Sequence, residues 1–572
     1  MKKLINDPLN VVPEMLRGLV QLDHRIDVDP EHNIVFRADL AEFRLSGKVA
    51  IISGGGAGHE PAHAGYVGPG MLTAAVVGDV FTSPSVDAVL AAIRLVTGDA
   101  GVLLIIKNYT GDRLNFGLAA ELARAEGYVV EMVVVADDVA IEQQDASARR
   151  GIAGTVFIHK LAGAAADASA SLTEVRAVAQ MGCQNVASMG VALTSCTVPA
   201  VGKRGFELGE DEIEFGLGIH GERGVRKSHL APAKTIVAEI FDRIVTCSDV
   251  QPGDSVALLV NNLGNTTSME LTIVADAAVS DLSERGLTVT RAWSGTLLTA
   301  LDMAGVSLSI LRLEDNLVRF LDAPASTSAW PTTSGKVRSI SSKNQTGTEQ
   351  SQPPLAARGP RNALTLILID AVARAVIDGE PLLTELDQKS GDGDHGLSMT
   401  RAARALLANA DELATLTLPE ALQAVAHIVR RSMAGSSGPL YAIGLMRASS
   451  VVSEADIVSW SDTLLAAAAG LSELGQASEG DRTLLDALIP AARALAAAEA
   501  ADLRLPEAFN AAAFAARGAA DHTAQMLPRR GRASYLGARA VGSNDPGAEG
   551  VAIWLGALAS ALLNHWKEQT NA

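Results

Sequence analysis

A change of pattern at residues 323–361 divides the chain into two parts that cannot share one fold. This stretch is rich in Ser, Thr, Gln and Pro and has little apolar periodicity, which predicts a linker. Apolar runs alternate with helical patterns before it, whereas the pattern is helical throughout after it. Because 572 residues are also too many for one core, we predict a multidomain protein with domains at 1–322 and 362–572.

The first part is predicted to be α/β. Short apolar runs at 49–52, 102–106 and 129–135 each end on a Gly-rich or polar loop, as buried parallel strands do. A break near 180–200 divides this part into two α/β subdomains, and the clearest strand of the second lies at 256–260. Ligands of such sheets bind beyond the carboxyl ends of the strands, so we expect the functional residues in those loops.

The second part is predicted to be all-α. Its sequence contains no convincing strand pattern. Within its Ala- and Leu-rich segments, the apolar residues recur with the spacing of a helix. We therefore expect a bundle of helices whose connecting loops contain Gly and Asp. The predicted helices lie at 362–378, 400–411, 417–433, 456–474, 482–500, 506–526 and 550–567.

Composition argues against several classes of partner. The net charge is 47 − 65 = −18 and the pI is about 5.1, which disfavours nucleic acids and anionic membranes as partners. No apolar stretch reaches the ~18 residues of a membrane span, and the first residues do not form a signal peptide. The three cysteines lack CxxC spacing and are expected to be reduced thiols. We therefore expect a cytoplasmic protein.

Two loops of the α/β part contain candidate catalytic groups. The Gly-rich loop at 54–58 is followed by His59 and His63, and its glycines allow backbone to approach a ligand closely. Asp112 follows the strand at 102–106 and is compatible with either a general base or a helix N-cap. Neither loop is specific alone, but loops after neighbouring parallel strands meet at one edge of the sheet.

His220 is the candidate nucleophile. It lies in Gly216–Glu222, where glycines stand at 216, 218 and 221. A histidine in a core does not need such a bent and accessible backbone, although isolated histidines are more often structural. Neutral imidazole is nucleophilic near neutral pH, so this turn predicts a site for covalent chemistry.

Three carboxylates, those of Asp387, Asp392 and Asp394, fall within eight residues. Gly391 and Gly393 interrupt any helix there, so we expect the carboxylates to line a loop. Like charges at this density repel one another unless cations neutralise them. Mg²⁺ prefers a few carboxylates together with phosphate oxygens, which predicts a site for phosphoryl transfer; a solvated acidic turn is the alternative.

Further loops of the helical part are rich in glycine and serine. They lie at 434–439 and 531–535, and a third segment follows at 545–548. Backbone amides in such loops, especially where a helix begins, bind phosphate. The chain has no Walker A motif, which excludes a P-loop kinase.

Taken together, these motifs resemble the single-chain, ATP-dependent dihydroxyacetone kinases over nearly the whole chain. The resemblance is specific because several long motifs occur in the same order. They are LINDP at 4–8, GGGAGHEPAHAGYVG at 54–68, FTSPS at 81–85, KNYTGD at 107–112, GLGIHGE at 216–222, GDGDHG at 391–396, GDRTLLDAL at 480–488 and GRASYLG at 531–537.

The resemblance implies a substrate domain of two α/β subdomains and a nucleotide domain that is a barrel of about eight helices. It implies that His220 adds to the carbonyl of the substrate to form a covalent hemiaminal. Asp112 would be the base for the attacking hydroxyl, and His59 would stabilise the hemiaminal oxygen. Further substrate contacts are expected from Gly56, Ser83 and Lys107.

The resemblance also implies that ATP is the phosphate donor and that Asp387, Asp392 and Asp394 hold two Mg²⁺ ions. Members of this family are dimers, so a homodimer is expected. The residues implied to contact the nucleotide are His395, Leu397, Ser398, Ser436, Ser437, Gly480, Arg532, Asp545, Pro546 and Gly547.

Two alternatives remain at this point. The same residues would serve a kinase of a four-carbon ketose such as erythrulose, and Ala57 and Arg223 depart from the family pattern near the expected substrate. A chain of another class would be a non-catalytic sugar sensor or a protein of a phosphate relay. The fusion of both domains in one chain favours the ATP-dependent kinase.

Overall fold

The computed structural model describes residues 2–141, 149–202, 204–314, 316–338, 359–390, 393–433, 437–452 and 459–571, except for the side chains of Ser390, Arg532, Tyr535 and Asn571. The chain forms two compact units, Met1–Ile340 and Ser341–Ala572. The first is α/β with two sheets and the second is helical, as the sequence predicts.

The first sheet has the strand order β1-β2-β4-β3-β5-β6. The strands β3, β4, β5 and β6 are parallel, and β1 and β2 are antiparallel to their neighbours. Buried side chains of α3 and α4 cover one face of the sheet, and those of α1 and α5 cover the other. The bounds are β1 Ile26–Asp29, β2 Ile34–Arg37, β3 Ala50–Ala57, β4 Ala74–Val80, β5 Val102–Lys107 and β6 Val130–Val135, with helices α1 Val11–Leu22, α2 Leu40–Leu45, α3 Val86–Val96, α4 Thr110–Ala125 and α5 Thr155–Asp167.

The second sheet has the strand order β11-β10-β12-β7-β8-β9. Only β10 and β11 are paired in parallel among the described strands of this sheet. Its first strand along the chain, β7, lies within the segment 180–200, where the sequence predicts the break between the two subdomains. The bounds are β7 Val186–Ala192, β8 Glu212–Phe215, β9 Arg226–His229, β10 Ser255–Asn262, β11 Thr288–Gly295 and β12 Gly305–Arg312, with helices α6 Leu172–Asn185, α7 Ala233–Thr246, α8 Ser268–Glu284 and α9 Leu317–Asp322.

Helix α5 joins the two subdomains into one body. Every residue from Thr155 to Ala166 is buried. The hydrophobic core around this helix includes residues of β5 in the first sheet and of β10 and β12 in the second. Because one helix serves both sheets, the loops at the carboxyl edge of the first sheet keep a fixed position relative to the second.

Residues 323–338, the longer of the two described parts of the predicted linker, pack on the first unit. Trp330 is 8% exposed, and its ring lies 5.0 Å from that of Trp293 between centroids. The backbone of Lys336 forms an isolated antiparallel β-bridge with the backbone of Arg291 in β11. The prediction of a linker from residue 323 was wrong for these residues, because one tryptophan and a few small side chains fill a core without any periodic pattern. Residues 339–358 lie outside the described residues.

In the second unit, eight of the described helices pack in a closed ring. The sequential neighbours are α10, α12, α14, α15, α16, α17, α18 and α19, and α19 returns to α10. The sequence analysis missed α11 and α15, because Asp387–Asp394 and Gly438-Pro439 suggest loops. The bounds are α10 Ala363–Asp378, α11 Glu380–Ser390, α12 His395–Ala408, α13 Ala410–Leu413, α14 Leu418–Ser432, α15 Ser437–Val451, α16 Trp460–Gly475, α17 Leu485–Ala500, α18 Leu505–His522 and α19 Pro546–Asn571.

One helix is long and apolar enough to cross a membrane by length and composition, which the sequence analysis did not anticipate. It comprises Pro546–Thr570 in α19, and half of its apolar window is buried inside the structure. Val551, Leu555 and Leu562 contribute to the main core of the helical unit. The same criterion is met by core helices of soluble proteins, so it is weak support for a membrane span.

Replacement of Trp330 by alanine tests the packing of residues 323–338. Removing this buried indole beside Trp293 should lower the free energy of unfolding by about 3–5 kcal/mol. Denaturant unfolding of the full chain, followed by circular dichroism, measures the change. Leu45→Ala is the control, because Leu45 is 89% exposed. An equal effect of the two substitutions would contradict a packed role for Trp330.

Candidate active site

The Gly-rich segment predicted as a loop instead forms the second half of β3, which continues to Ala57. This half of the strand lies against two other segments of the first unit. A Cβ atom at Gly55 would lie 2.4 Å from the Lys107 Nζ, and one at Gly56 would lie 2.5 Å from the Thr82 backbone N. A side chain at Gly55 would displace the buried Lys107, and one at Gly56 would clash with the backbone of Phe81 and Thr82. The glycines therefore allow β3 to approach the end of β5 and the loop after β4.

Lys107 is the last residue of β5 and is fully buried. Its Nζ lies 2.9 Å from His63 Nε2 and 4.0 Å from Asp112 Oδ2. Burial lowers the pKa of Lys107, and the charge of Asp112 acts in the opposite direction. Asp112, in the first turn of α4, also accepts a hydrogen bond of 2.5 Å from the Ser83 hydroxyl.

His59 is fully buried beside the same loops. Its Nδ1 lies 2.8 Å from the carbonyl oxygen of Thr299, which fixes Nδ1 as the donor and Nε2 as the unprotonated nitrogen. Within the described residues Nε2 has no hydrogen-bond partner. Burial lowers the pKa of His59 well below its usual range, and the Lys107 charge contributes. This nitrogen is therefore available to a ligand.

The imidazole of His220 contacts several aromatic rings. Its ring centroid is 4.4 Å from that of Tyr109 and 4.9 Å from that of His59, and its side chain is 22% exposed. Burial, followed by the charges of Lys107 and Arg150, lowers the pKa of His220 to about 3. Its imidazole is therefore uncharged near neutral pH, as a nitrogen nucleophile must be.

The structure thus brings the substrate-site residues predicted from the sequence into one region of the first unit. His59 contacts His220, while Ser83 and Lys107 surround Asp112; the backbone of Gly56 adjoins Phe81 and Thr82. Sequence reasoning missed Phe81, Tyr109 and Arg150, which adjoin His220. Phe81 and Tyr109 stand inside motifs that it did recognise, whereas Arg150 had no local signal.

In the second unit, Asp387 lies in the last turn of α11, so the prediction that it lines a loop was wrong. Asp387 lies three residues before the end of α11 at Ser390. Its Oδ2 accepts a hydrogen bond of 3.1 Å from the backbone N–H of His395, which places Asp387 beside Asp394 at the start of α12. These two carboxylates fit a hard cation such as Mg²⁺. Asp392 lies outside the described residues, among which no cluster of three metal ligands occurs.

Four helices of the ring begin at the same end. The Ser437 hydroxyl at the start of α15 lies 3.4 Å from His395 Nδ1 at the start of α12. A Cβ at Gly550 of α19 would lie 3.6 Å from His395 Nε2, and one at Gly547 would lie 3.3 Å from the Leu484 backbone N before α17. Helix starts carry partial positive charge and exposed N–H groups, so this end of the ring favours phosphate.

The other predicted nucleotide contacts are placed as follows. The Gly480 backbone N–H donates to Asp486, at 2.6 Å, and Asp545 precedes Pro546 at the start of α19. Burial raises the pKa of Asp545 to about 6. Ser398 is buried and Leu397 is 54% exposed. Ser436 and the side chain of Arg532 lie outside the described residues.

The buried histidines should make the first unit sensitive to acid. Burial and the Lys107 charge lower the pKa of His159 to about 3, so the folded chain binds fewer protons than the unfolded chain between about pH 3 and 6.5. Stability therefore falls as the pH falls through this range, by up to about 1.4 kcal/mol per pH unit for each such group. His159→Gln should make the decline shallower in urea titrations between about pH 7 and 5. His229→Gln, at a side chain that is 83% exposed, is the control; an unchanged slope in His159→Gln would contradict this assignment.

Each of the two units matches a known protein domain. The Dak1 domain matches residues 17–329 and the DAK2 domain matches residues 389–560. The chain is 41% identical to the triokinase/FMN cyclase of Bos taurus over 98% of this chain and 99% of that protein. It is 42% identical to a putative 3,4-dihydroxy-2-butanone kinase of Solanum lycopersicum over 98% of each chain. The crystal structure of the dihydroxyacetone kinase of C. freundii with AMP-PNP and Mg²⁺ matches with a TM-score of 0.61 and 36% identity, covering 98% of this chain and 99% of that one. The chain therefore belongs to the family of ATP-dependent dihydroxyacetone kinases.

Proposed function

We propose that this kinase phosphorylates dihydroxyacetone with ATP while holding the ketone covalently on His220. The observation that supports this most directly is the state of His220. Its uncharged, partly accessible imidazole adjoins His59, whose Nε2 has no partner among the described residues. A nucleophilic nitrogen beside a hydrogen-bonding nitrogen suits a small carbonyl compound.

Covalent anchoring is an addition reaction. An imidazole nitrogen of His220 forms a bond to the carbonyl carbon, and the π electrons of the C=O bond move to the oxygen. The imidazole loses its ring N–H proton and the oxygen gains one, which gives a hemiaminal. His59 Nε2, which has no partner among the described residues, would accept a hydrogen bond from the new hydroxyl. Glycerol has no carbonyl and cannot form this bond.

Phosphoryl transfer then requires a deprotonated hydroxyl on the anchored substrate. Asp112 is the candidate base, since its carboxylate would take the hydroxyl proton as the oxygen attacks the γ-phosphorus of ATP and ADP leaves. The Nζ atom of Lys107 lies 4.0 Å from this carboxylate. Fixing the substrate in one orientation lowers the entropic part of the barrier.

The helical unit provides the groups for the phosphate donor. Asp387 and Asp394 would hold Mg²⁺, together with Asp392, and the bound cation would neutralise charge on the phosphates. The starts of α12, α15, α17 and α19 offer backbone N–H groups to phosphate oxygens. The solved relative from C. freundii, which contains AMP-PNP and Mg²⁺, supports this assignment.

Substrate size is the open choice within this mechanism. The relative from Solanum lycopersicum is named for 3,4-dihydroxy-2-butanone, a four-carbon ketone. Ala57 is buried at the end of β3, whereas Arg223 is exposed. The name of this relative makes a four-carbon ketose such as erythrulose the second candidate, and glyceraldehyde is a further three-carbon substrate.

An ADP-release assay with purified protein and Mg-ATP tests the proposed function. We expect turnover with dihydroxyacetone and glyceraldehyde, none with glycerol, and loss of turnover when EDTA removes Mg²⁺. Preference for erythrulose would retain the mechanism and change the substrate. No turnover of any carbonyl compound without a partner protein would favour a sensor or a phosphate relay and would overturn the proposal.

Replacement of His220 by alanine tests the covalent step. The variant should form no adduct with dihydroxyacetone in native mass spectrometry, and its kcat/KM should fall by about 100-fold or more because the substrate loses its fixed orientation. Its KM for Mg-ATP should stay close to that of the wild type. His229→Ala is the control at an exposed histidine of the same unit. An adduct that persists in His220→Ala would assign the bond to another residue.

A further inference from the structure

The guanidinium of Arg150 connects two loops at the substrate site. Its side chain is 13% exposed. Arg150 Nε and Nη2 lie 2.8 and 2.6 Å from Asp138 Oδ2, just after β6. Its Nη2 also donates to the carbonyl oxygen of Gly216, at 2.7 Å, where the turn that carries His220 begins. Arg150 therefore ties this turn to the edge of the first sheet.

A second connection runs through Glu222 at the other end of the turn. Arg150 Nη1 lies 3.5 Å from Glu222 Oε1. Glu222 Oε2 accepts a hydrogen bond of 2.8 Å from the backbone N–H of His220. The two ends of the turn, Gly216 and Glu222, thus both interact with one guanidinium.

The turn has little conformational preference of its own. Gly216 and Gly221 have φ of +71° and +76°, and flexible glycines lose much entropy when they are ordered. A Cβ at Gly218 would lie 1.8 Å from Glu222 Oε1 and 2.8 Å from Arg150 Nη1. Gly218 thus allows the backbone to close over this pair, while the rigid fork of an arginine supplies the fixed geometry that the glycines lack.

Asp138, which binds the Arg150 guanidinium, is itself fixed by hydrogen bonds. Asp138 is fully buried, and its Oδ1 accepts a hydrogen bond of 3.0 Å from the backbone N–H of Ala140. The backbone N–H of Asp138 donates to the carbonyl oxygen of Arg150, at 3.0 Å. Side-chain and backbone bonds between the two residues therefore hold the guanidinium in place independently of the His220 turn.

We propose that Arg150 is a positioning residue, which fixes the turn Gly216–Glu222 and thereby places His220 for addition to the substrate carbonyl. This inference rests on the proposed role of His220. Arg150 does not touch the substrate in this account; it acts through Gly216 and Glu222. The proximity of its positive charge also favours the uncharged form of the His220 imidazole.

Arg150→Ala tests this role in the full-length enzyme. We expect the concentration of dihydroxyacetone needed for half-maximal adduct, measured by native mass spectrometry, to rise about tenfold or more, since small misplacements of a reacting group have effects of this order. The KM for Mg-ATP should change less than twofold. Added guanidinium at low millimolar concentration should restore part of the adduct by occupying the vacated site, which it would not do for a variant that had merely lost stability.

Arg149→Ala is the matched control, because this neighbouring arginine donates to the carbonyl oxygen of Cys247 instead. It should leave the adduct unchanged. If Arg150→Ala does not fold, Arg150→Lys replaces it, since a lysine retains the charge beside Asp138 but lacks the fork that reaches Gly216 and Glu222.

The outcomes separate this inference from the proposed function. Wild-type adduct formation in either Arg150 variant would overturn the positioning role and leave the role of His220 intact. A parallel loss of adduct and Mg-ATP affinity without rescue by guanidinium would also overturn it, in favour of a purely structural role. Absence of an adduct in the wild type would overturn the covalent mechanism itself.

Discussion

The substrate region is organised around one buried cation. Lys107 is fully enclosed at the end of β5, and an ammonium in such a place is costly unless it is paired. Asp112 is the carboxylate that offsets it, 4.0 Å away, and His63 accepts its hydrogen bond. The field of this one charge, added to burial, lowers the pKa of four surrounding histidines, namely His59, His63, His159 and His220. The candidate nucleophile, His220, is therefore uncharged near neutral pH.

The same cation explains the glycines before it. The sequence suggests that the backbone at 54–58 approaches a ligand, but the atom nearest to an added Cβ at Gly55 is the Nζ of Lys107. The glycines are thus required first by the packing of the protein itself. The glycines that suggest a binding loop in the sequence thus act in the structure by allowing β3 to pack against Lys107.

The sequence allowed prediction of what is encoded locally. Strands β3, β5 and β6 follow from apolar runs, and parallel pairing brings His59 and Asp112 to one edge. Contacts made across the fold had no local signal: Thr299 fixes the tautomer of His59 from 240 residues away, and Arg150 reaches Gly216 across 66 residues. Segments whose composition suggests loops were also misjudged. Gly438-Pro439 opens α15, and Trp330 packs into a core from a stretch that otherwise resembles a linker.

The two units meet different physical requirements with different means. A small neutral ketone offers few charges to recognise, and the proposed addition to its carbonyl would need an uncharged imidazole in a partly dry site. A nucleoside triphosphate is an anion, and a chain with a net charge of −18 repels it at long range. Attraction must therefore be local. In the proposed binding mode, the helical ring would supply it through four helix starts at one end, and the adjoining carboxylates of Asp387 and Asp394 would be favourable only together with a cation. Dependence on Mg²⁺ thus follows from the charge of the protein as well as from that of its substrate.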